Sequence, residues 1–230
     1  MNEWEDGASS AAREAFRAEC GRLTEILAGL DGNLLDRPTG CPPWAVRDLV
    51  AHVLTGAGRL TGMLAAEPPP RAEVDAAAYF GAAKFTPGVD HERVAAARRE
   101  AATLPAGPAL AAEFDQTWRA VYDAVGAVPP GRVVRTRHGD AMAVGEFLVT
   151  RVVEVAVHGL DLAAALHRPV WLTGAAAEVV ARLLVGDAVV PAGLDWDRRT
   201  LIAKATGRAP LTDVERSTLE RSGFRWLSFG

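Results

Sequence analysis

The sequence predicts a mainly α protein, with a four-helix bundle over residues 1–167 and a small α/β C-terminal domain over 168–230. Three observations carry that prediction. Four long apolar patterns recur at helical spacing, separated by proline- and glycine-rich breaks. A short run at 132–141, between the third and fourth patterns, reads as an extended or hairpin segment. Beyond Pro169 the long patterns stop, and short helical and β-like runs alternate.

The first pattern covers 8–30, with Phe16, Leu23, Ile26, Leu27 and Leu30 as its apolar stripe; Asp31-Gly32-Asn33 ends it. A loop over 36–43 leads into a second helix expected over 43–66, where proline suits the first turn. Its core face is Val46, Leu49, Val50, Val53 and Leu54, and Pro68-Pro69-Pro70 stops it. Residues 68–105 are weakly patterned, with Phe-Thr-Pro-Gly at 85–88 and a short helix expected over 91–103. An excursion of that length often covers or borders a functional opening. The third helix, over 108–128, uses Leu110, Phe114, Trp118, Val121 and Val125, and Pro129-Pro130-Gly131 ends it.

The fourth helix is expected over 144–167. Val153 to Val157 alternate as a strand would, and valine favours strands. The pattern nevertheless runs unbroken from Phe147 to Leu166, too long for an ordinary strand. The tail then reads as a helix over 174–186, a Leu194-Asp-Trp-Asp loop, a β-like run over 200–206, a helix over 212–221 and a last strand over 224–229.

Composition narrows the functional classes. The chain of 230 residues is 49% hydrophobic and 23% charged, ordinary values for a globular protein. A formal net charge of −4 and a pI near 5.8 disfavour a nucleic-acid surface. No uncharged apolar run reaches the roughly 20 residues that cross a bilayer. The acidic Met-Asn-Glu-Trp-Glu-Asp start does not resemble a secretory signal, so a soluble, cytoplasmic protein is expected. Cys20 and Cys41 then read as free thiols, Cys20 for packing and Cys41 in a turn just ahead of a helix, where a thiol is more readily activated.

The chemistry concentrates in Arg151-Val-Val-Glu154-Val-Ala-Val-His158-Gly-Leu-Asp161. Spacings of three, four and three place Arg151, Glu154, His158 and Asp161 in one polar stripe on an otherwise apolar helix. A carboxylate in such surroundings must be paired or hold a metal. Of the five histidines, His52 lies mid-helix among Leu49, Val50, Val53 and Leu54, and bundles build metal sites from facing helices. His52, Glu154 and His158 together make a three-ligand site of N and O donors, a set that suits a catalytic divalent metal such as zinc. The alternative that the stripe leaves open is a buried ion-pair ladder, Arg151 with Glu154 and His158 with Asp161. His91 and His167 read as surface or helix-end residues. Arg135, Arg137 and His138 form a basic cluster that reads either as a solvated hairpin or as a guide for an anionic thiol or substrate.

Trp44-Ala-Val-Arg47-Asp48-Leu-Val-Ala-His52 and the 151–162 stripe together resemble the mycothiol-dependent maleylpyruvate isomerase family of the DinB-like metalloenzymes. The resemblance covers the bundle and, more weakly, the tail through Thr206-Gly207-Arg208. It implies a DinB-like bundle, a metal (commonly Zn²⁺) on His52, Glu154 and His158, and mycothiol as thiol cosubstrate. It also implies an essential arginine, matched here to Arg208, whose planar fork would orient a substrate carboxylate. Expected partners are a low-molecular-weight thiol and a small electrophile, with no nucleic acid and no membrane, in a monomer or homodimer. Two other functions stay open: a non-catalytic DinB-like binding or stress protein, and a hydrolase using metal-bound hydroxide. No phosphate-cradling G-x-x-x-x-G-K and no G-x-S-x-G elbow supports a nucleotide or serine-hydrolase reading.

Overall fold

Helix α7 (Val144–Leu166) is the axis of the molecule. It is apolar on almost every face, as a helix must be to lie inside a protein, and sixteen of its residues are buried. A computed structural model describes residues 3–81 and 87–228. In it α7 packs against α1 (Glu3–Leu27) and α3 (Val46–Ala65), and α6 (Gly107–Ala127) closes the ring by touching both α1 and α3. These four form the expected four-helix bundle.

Shorter elements decorate it. Among the described residues they are α2 (Gly32–Leu35), α4 (Ala76–Gly81), α5 (Pro87–Ala101) and the antiparallel hairpin β1 (Val133–Arg135) and β2 (Ala141–Ala143). The tail adds α8 (Gly174–Val185), α9 (Arg198–Ala205) and α10 (Asp213–Ser222). The hairpin pairs Val133 with Ala143 and Arg135 with Ala141, so β2 runs straight into α7 and fixes where that helix starts.

Core residues explain the arrangement. Phe16, Leu23, Leu27, Leu49, Leu60, Leu110, Phe114, Phe147 and Leu148 are all essentially inaccessible and lie in one cluster. Trp171, Leu172, Val180, Leu184, Leu201 and Ile202 join that same cluster, so α8 and α9 share the bundle's core. Leu194, Leu219 and Phe224 form a second, smaller cluster under α10. Cys20 is buried packing, as expected. No helix among the described residues is long and apolar enough to cross a membrane.

Three sequence expectations need correction. The second helix begins at Val46 rather than at Pro43, because residues 38–45 are held in a loop. Pro38 bridges to Ala45, and the Val46 amide donates to the Arg37 carbonyl at 2.8 Å. Asp48, in the first turn, then accepts from the Ala45 amide at 2.9 Å and caps the helix. The β-like run at 200–206 is helical, belonging to α9. Asp197 caps it by accepting from the Thr200 amide, and Leu201 and Ile202 go into the core side by side. The last strand is also absent: residues 224–228 pair with no strand, and Leu227 instead donates from its amide to the Leu184 carbonyl of α8. The tail is therefore helical among the described residues. Phe229 lies outside them, as do residues 82–86 of the excursion, including Phe85 and Thr86 of the 85–88 turn.

Candidate metal centre

Residues four apart on a helix stand one turn apart on one face, and α7 uses this to present Glu154 and His158 together towards α3. His52 meets them from α3. Its Nε2 lies 3.3 Å from Glu154 Oε2, and His158 Nε2 lies 3.4 Å from the same oxygen. One ligand atom from each of the three falls within 4.8 Å of the others. The side chains are 15% exposed for both histidines and 24% for Glu154, so they are reachable yet mostly removed from water.

Both rungs of the ladder read from the sequence are present beside this trio. Arg151 Nη2 stands 3.8 Å from Glu154 Oε1, and His158 Nδ1 lies 3.0 Å from Asp161 Oδ2. The guanidinium of Arg151 is buried, lies over the Phe147 ring and donates weakly to the Gly56 carbonyl at 3.4 Å. Gly56 leaves room for it: a Cβ there would stand 3.2 Å from Arg151 Nη1, a tight contact to which the guanidinium would have to yield. Arg208 reaches the site from the α9–α10 turn. It donates to Asp161 through Nε at 3.0 Å and Nη2 at 2.9 Å, a two-pronged grip.

The charge states follow. Burial opposes ionisation of Glu154. Hydrogen bonds from His158 and His52 and the charge of Arg151 outweigh it and hold the carboxyl well below its usual range. Burial likewise opposes a charged His158, but Asp161, Cys41 and Glu154 together push it well above the usual imidazole value. Asp161 is held low by His158 and Arg208 against the cost of burial.

A second cluster of possible ligands, Cys41, His158 and Asp161, overlaps the first. Both carboxylate oxygens of Asp161 are already taken by the Arg208 fork, and Oδ2 also faces His158. That leaves Asp161 better suited to orienting His158 than to ligation, since ligating histidines typically give their other nitrogen to a carboxylate. The His52, Glu154 and His158 set fits a divalent metal: two imidazole nitrogens and a carboxylate oxygen, converging and backed by Asp161 and Arg151.

Two cavities meet at His52 and Glu154. One, of about 250 Å³, is walled by Cys41, Trp44, Phe80, Val94 and Arg208. The other, of about 350 Å³, lies towards the hairpin. Phe80 and Val94 come from α4 and α5, so the weakly patterned excursion does border the opening. Trp44 stacks near His52, with ring centroids 4.9 Å apart. The wall residues Phe80 and Val94 carry no local sequence signal, because only the fold brings them to the histidines; Cys41, a turn thiol in the sequence, joins them. Histidine 167 is the exposed left-handed cap of α7, as read from sequence, and His91 lies in α5, its side chain outside the described residues.

A family model described as the mycothiol maleylpyruvate isomerase N-terminal domain matches residues 16–163. The chain belongs to this family. Its matched segment runs from within α1 to near the end of α7, and so contains most of the bundle and all three candidate ligands. A solved structure described as the mycothiol-dependent maleylpyruvate isomerase is also similar. That likeness has a TM-score of 0.50 and 15% identity, over 79% of this chain and 71% of that one; at such identity it carries the fold. No curated protein matches the chain. Arg208, which grips Asp161, lies beyond the segment that defines the isomerase family here.

Proposed function

We propose that this chain is a zinc- and mycothiol-dependent enzyme of the maleylpyruvate isomerase type, using thiolate attack on a small electrophile. The observation that carries the reading is the convergence of His52, Glu154 and His158 at the junction of two cavities, in a chain of this family. The three side chains would hold the ion, and a divalent metal there supplies Lewis acidity that favours the thiolate form of a thiol.

The protein's own residues prepare that site. Asp161 receives the Nδ1 proton of His158 and so turns Nε2 towards Glu154. His158 and His52, with the charge of Arg151, keep Glu154 ionised. Arg208 holds Asp161, which makes it a positioning residue: its Nε and Nη2 edges are engaged there, and Nη1 donates to the Thr206 carbonyl at 2.6 Å. In this reading the Arg208 fork orders the ligand shell, alongside the substrate-carboxylate role expected of it. Trp44, Phe80 and Val94 line the adjoining cavity with apolar surface that excludes water from a bound thiol or electrophile.

In the isomerase reaction the thiolate sulfur bonds to one alkene carbon of a cis enedione, and the π pair moves onto a carbonyl oxygen. Rotation about the new single bond and expulsion of the thiolate then give the trans alkene. In S-transfer a leaving group departs from the attacked carbon and the C–S bond is kept. The test is elemental analysis of wild type, His52→Ala and Glu154→Ala, followed by incubation with mycothiol and maleylpyruvate or a generic alkylating electrophile. Stoichiometric zinc in wild type alone, with turnover only when mycothiol is present, is expected. Wild-type protein free of metal after supplementation refutes the centre, and turnover indifferent to mycothiol refutes the thiol.

A further inference from the structure

The larger cavity has a feature the thiol chemistry does not use. Arg59 from α3, Arg135 and Arg137 from the hairpin and Arg151 from α7 all line it, with the buried Thr136 and Tyr79 beside them. Arg151 is matched by Glu154, but no carboxylate among the described residues is within ion-pair distance of Arg59, Arg135 or Arg137. Glu100 exerts only a distant pull on Arg59 and accepts a hydrogen bond from Thr55. Arg137 turns its Nε to His138, and Arg135 gives Nη1 to the Gly139 carbonyl, bonds that leave both positive charges uncompensated. Burial, then the neighbouring charges of Arg137 and Arg151, hold the Arg59 guanidinium below its usual range.

Like charges gathered on a half-enclosed wall repel one another, and an anion in their midst relieves that repulsion. Arginine forks suit planar oxyanions. Phe147, Met63 and Tyr79 add carbon surface to the same cavity, which favours an organic anion over a bare inorganic one.

We propose that this cavity is a binding site for a small organic carboxylate anion, with Arg59 and Arg137 as its specificity-determining residues. The cavity is floored by His52 and Glu154, so the bound anion faces the centre from the hairpin side, leaving the Cys41–Arg208 side for the thiol. This division of labour rests on the proposed function; the anion site itself stands on the arginines. Mycothiol-type sugar thiols gain little from such a wall, whereas a carboxylated electrophile gains directly.

Calorimetric titration of the full chain with maleate, neutral maleamide and inorganic phosphate tests the site. The proteins are wild type with metal, wild type after EDTA, Arg59→Gln, Arg137→Gln and Arg119→Gln. Arg119 is an exposed arginine of α6 paired with Asp115, and it controls for net charge. Maleate is expected to bind wild type, more weakly as salt rises and with or without EDTA treatment. Each cavity substitution is expected to weaken it about tenfold, and Arg119→Gln to leave it unchanged. Arg137 is exposed, so its variant keeps the test available should Arg59→Gln fail to fold. Equal maleate affinity in Arg137→Gln, equal binding of maleamide or phosphate, or no maleate binding to folded wild type overturns the site. So does loss of binding after EDTA, which would place the anion on the metal. Metal-free wild type would defeat the proposed function yet leave this titration intact, so the two failures are told apart.

Discussion

Asp161 stands between three parts of the molecule at the scale of one side chain. It faces His158 on its own helix and takes both prongs of Arg208 from the tail, while buried at the end of the polar stripe. Replacing it with asparagine keeps an oxygen for His158 Nδ1 but removes the charge that holds Arg208. Metal affinity, read by competition with a chromogenic chelator, is expected to fall about 10- to 100-fold, the usual cost of losing a residue that orients a ligand. An unchanged affinity would mean that His158 is fixed by Glu154 alone. Sequence reasoning found this residue because i, i+3 and i, i+4 spacing is a local property of a helix. The residue facing it in Arg208 was proposed by resemblance, and what the arginine grips was not visible from spacing.

Elements tell a similar story. The four bundle helices were legible because their apolar periodicity persists over many turns and proline or glycine marks each end. The tail was not, because an eight-residue segment with two adjacent core residues satisfies either period, and its Asp197 cap sits inside an acidic loop that masks it. The turn between α9 and α10, which carries Arg208, is clamped by one carboxylate. Glu215 accepts from Lys204 Nζ at 2.8 Å, the Trp196 indole at 2.7 Å and the Thr212 amide at 2.7 Å, with the lysine first among the causes that bring its pKa to about 2. Glu215→Gln removes the charge on which that clamp depends. Amide exchange over 206–212 is expected to quicken severalfold, with α3 and α6 unaffected. Exchange that is unchanged in the turn would show that backbone bonds alone hold it.

For the whole molecule, the tail is tied to the bundle by a buried acid. Glu19 of α1 accepts from the Thr173 amide at 2.9 Å and from its hydroxyl at 2.6 Å, at the cap of α8. Burial pushes the Glu19 carboxyl above its ordinary value against those hydrogen bonds. A raised pKa means that the folded chain holds this proton more tightly than the unfolded one. Its stabilising contribution is therefore complete below the ordinary carboxylate range and is lost as pH climbs through the raised value. Glu154, Asp161 and Glu215, whose pKa values are lowered, act in the opposite sense, losing their contribution as pH falls. Comparison with Glu19→Gln isolates the first effect: thermal melts from pH 4 to pH 8 are expected to show the variant gaining on wild type as pH rises. A constant difference across that range would rule the linkage out. None of this was readable beforehand, because Glu19 sits in an ordinary helical pattern and only the fold removes it from water.

The Arg208–Asp161 grip has a consequence for how such proteins diversify. The segment that matches the family ends two positions beyond Asp161, so the acid lies within that segment while its cation lies in the tail that follows. A bundle joined to a different tail would keep the same three ligands but expose a buried anion that needs a new counterpart. Tail exchange would then act as a tuning knob, resetting charge at the mouth of the centre without disturbing the helices that build it.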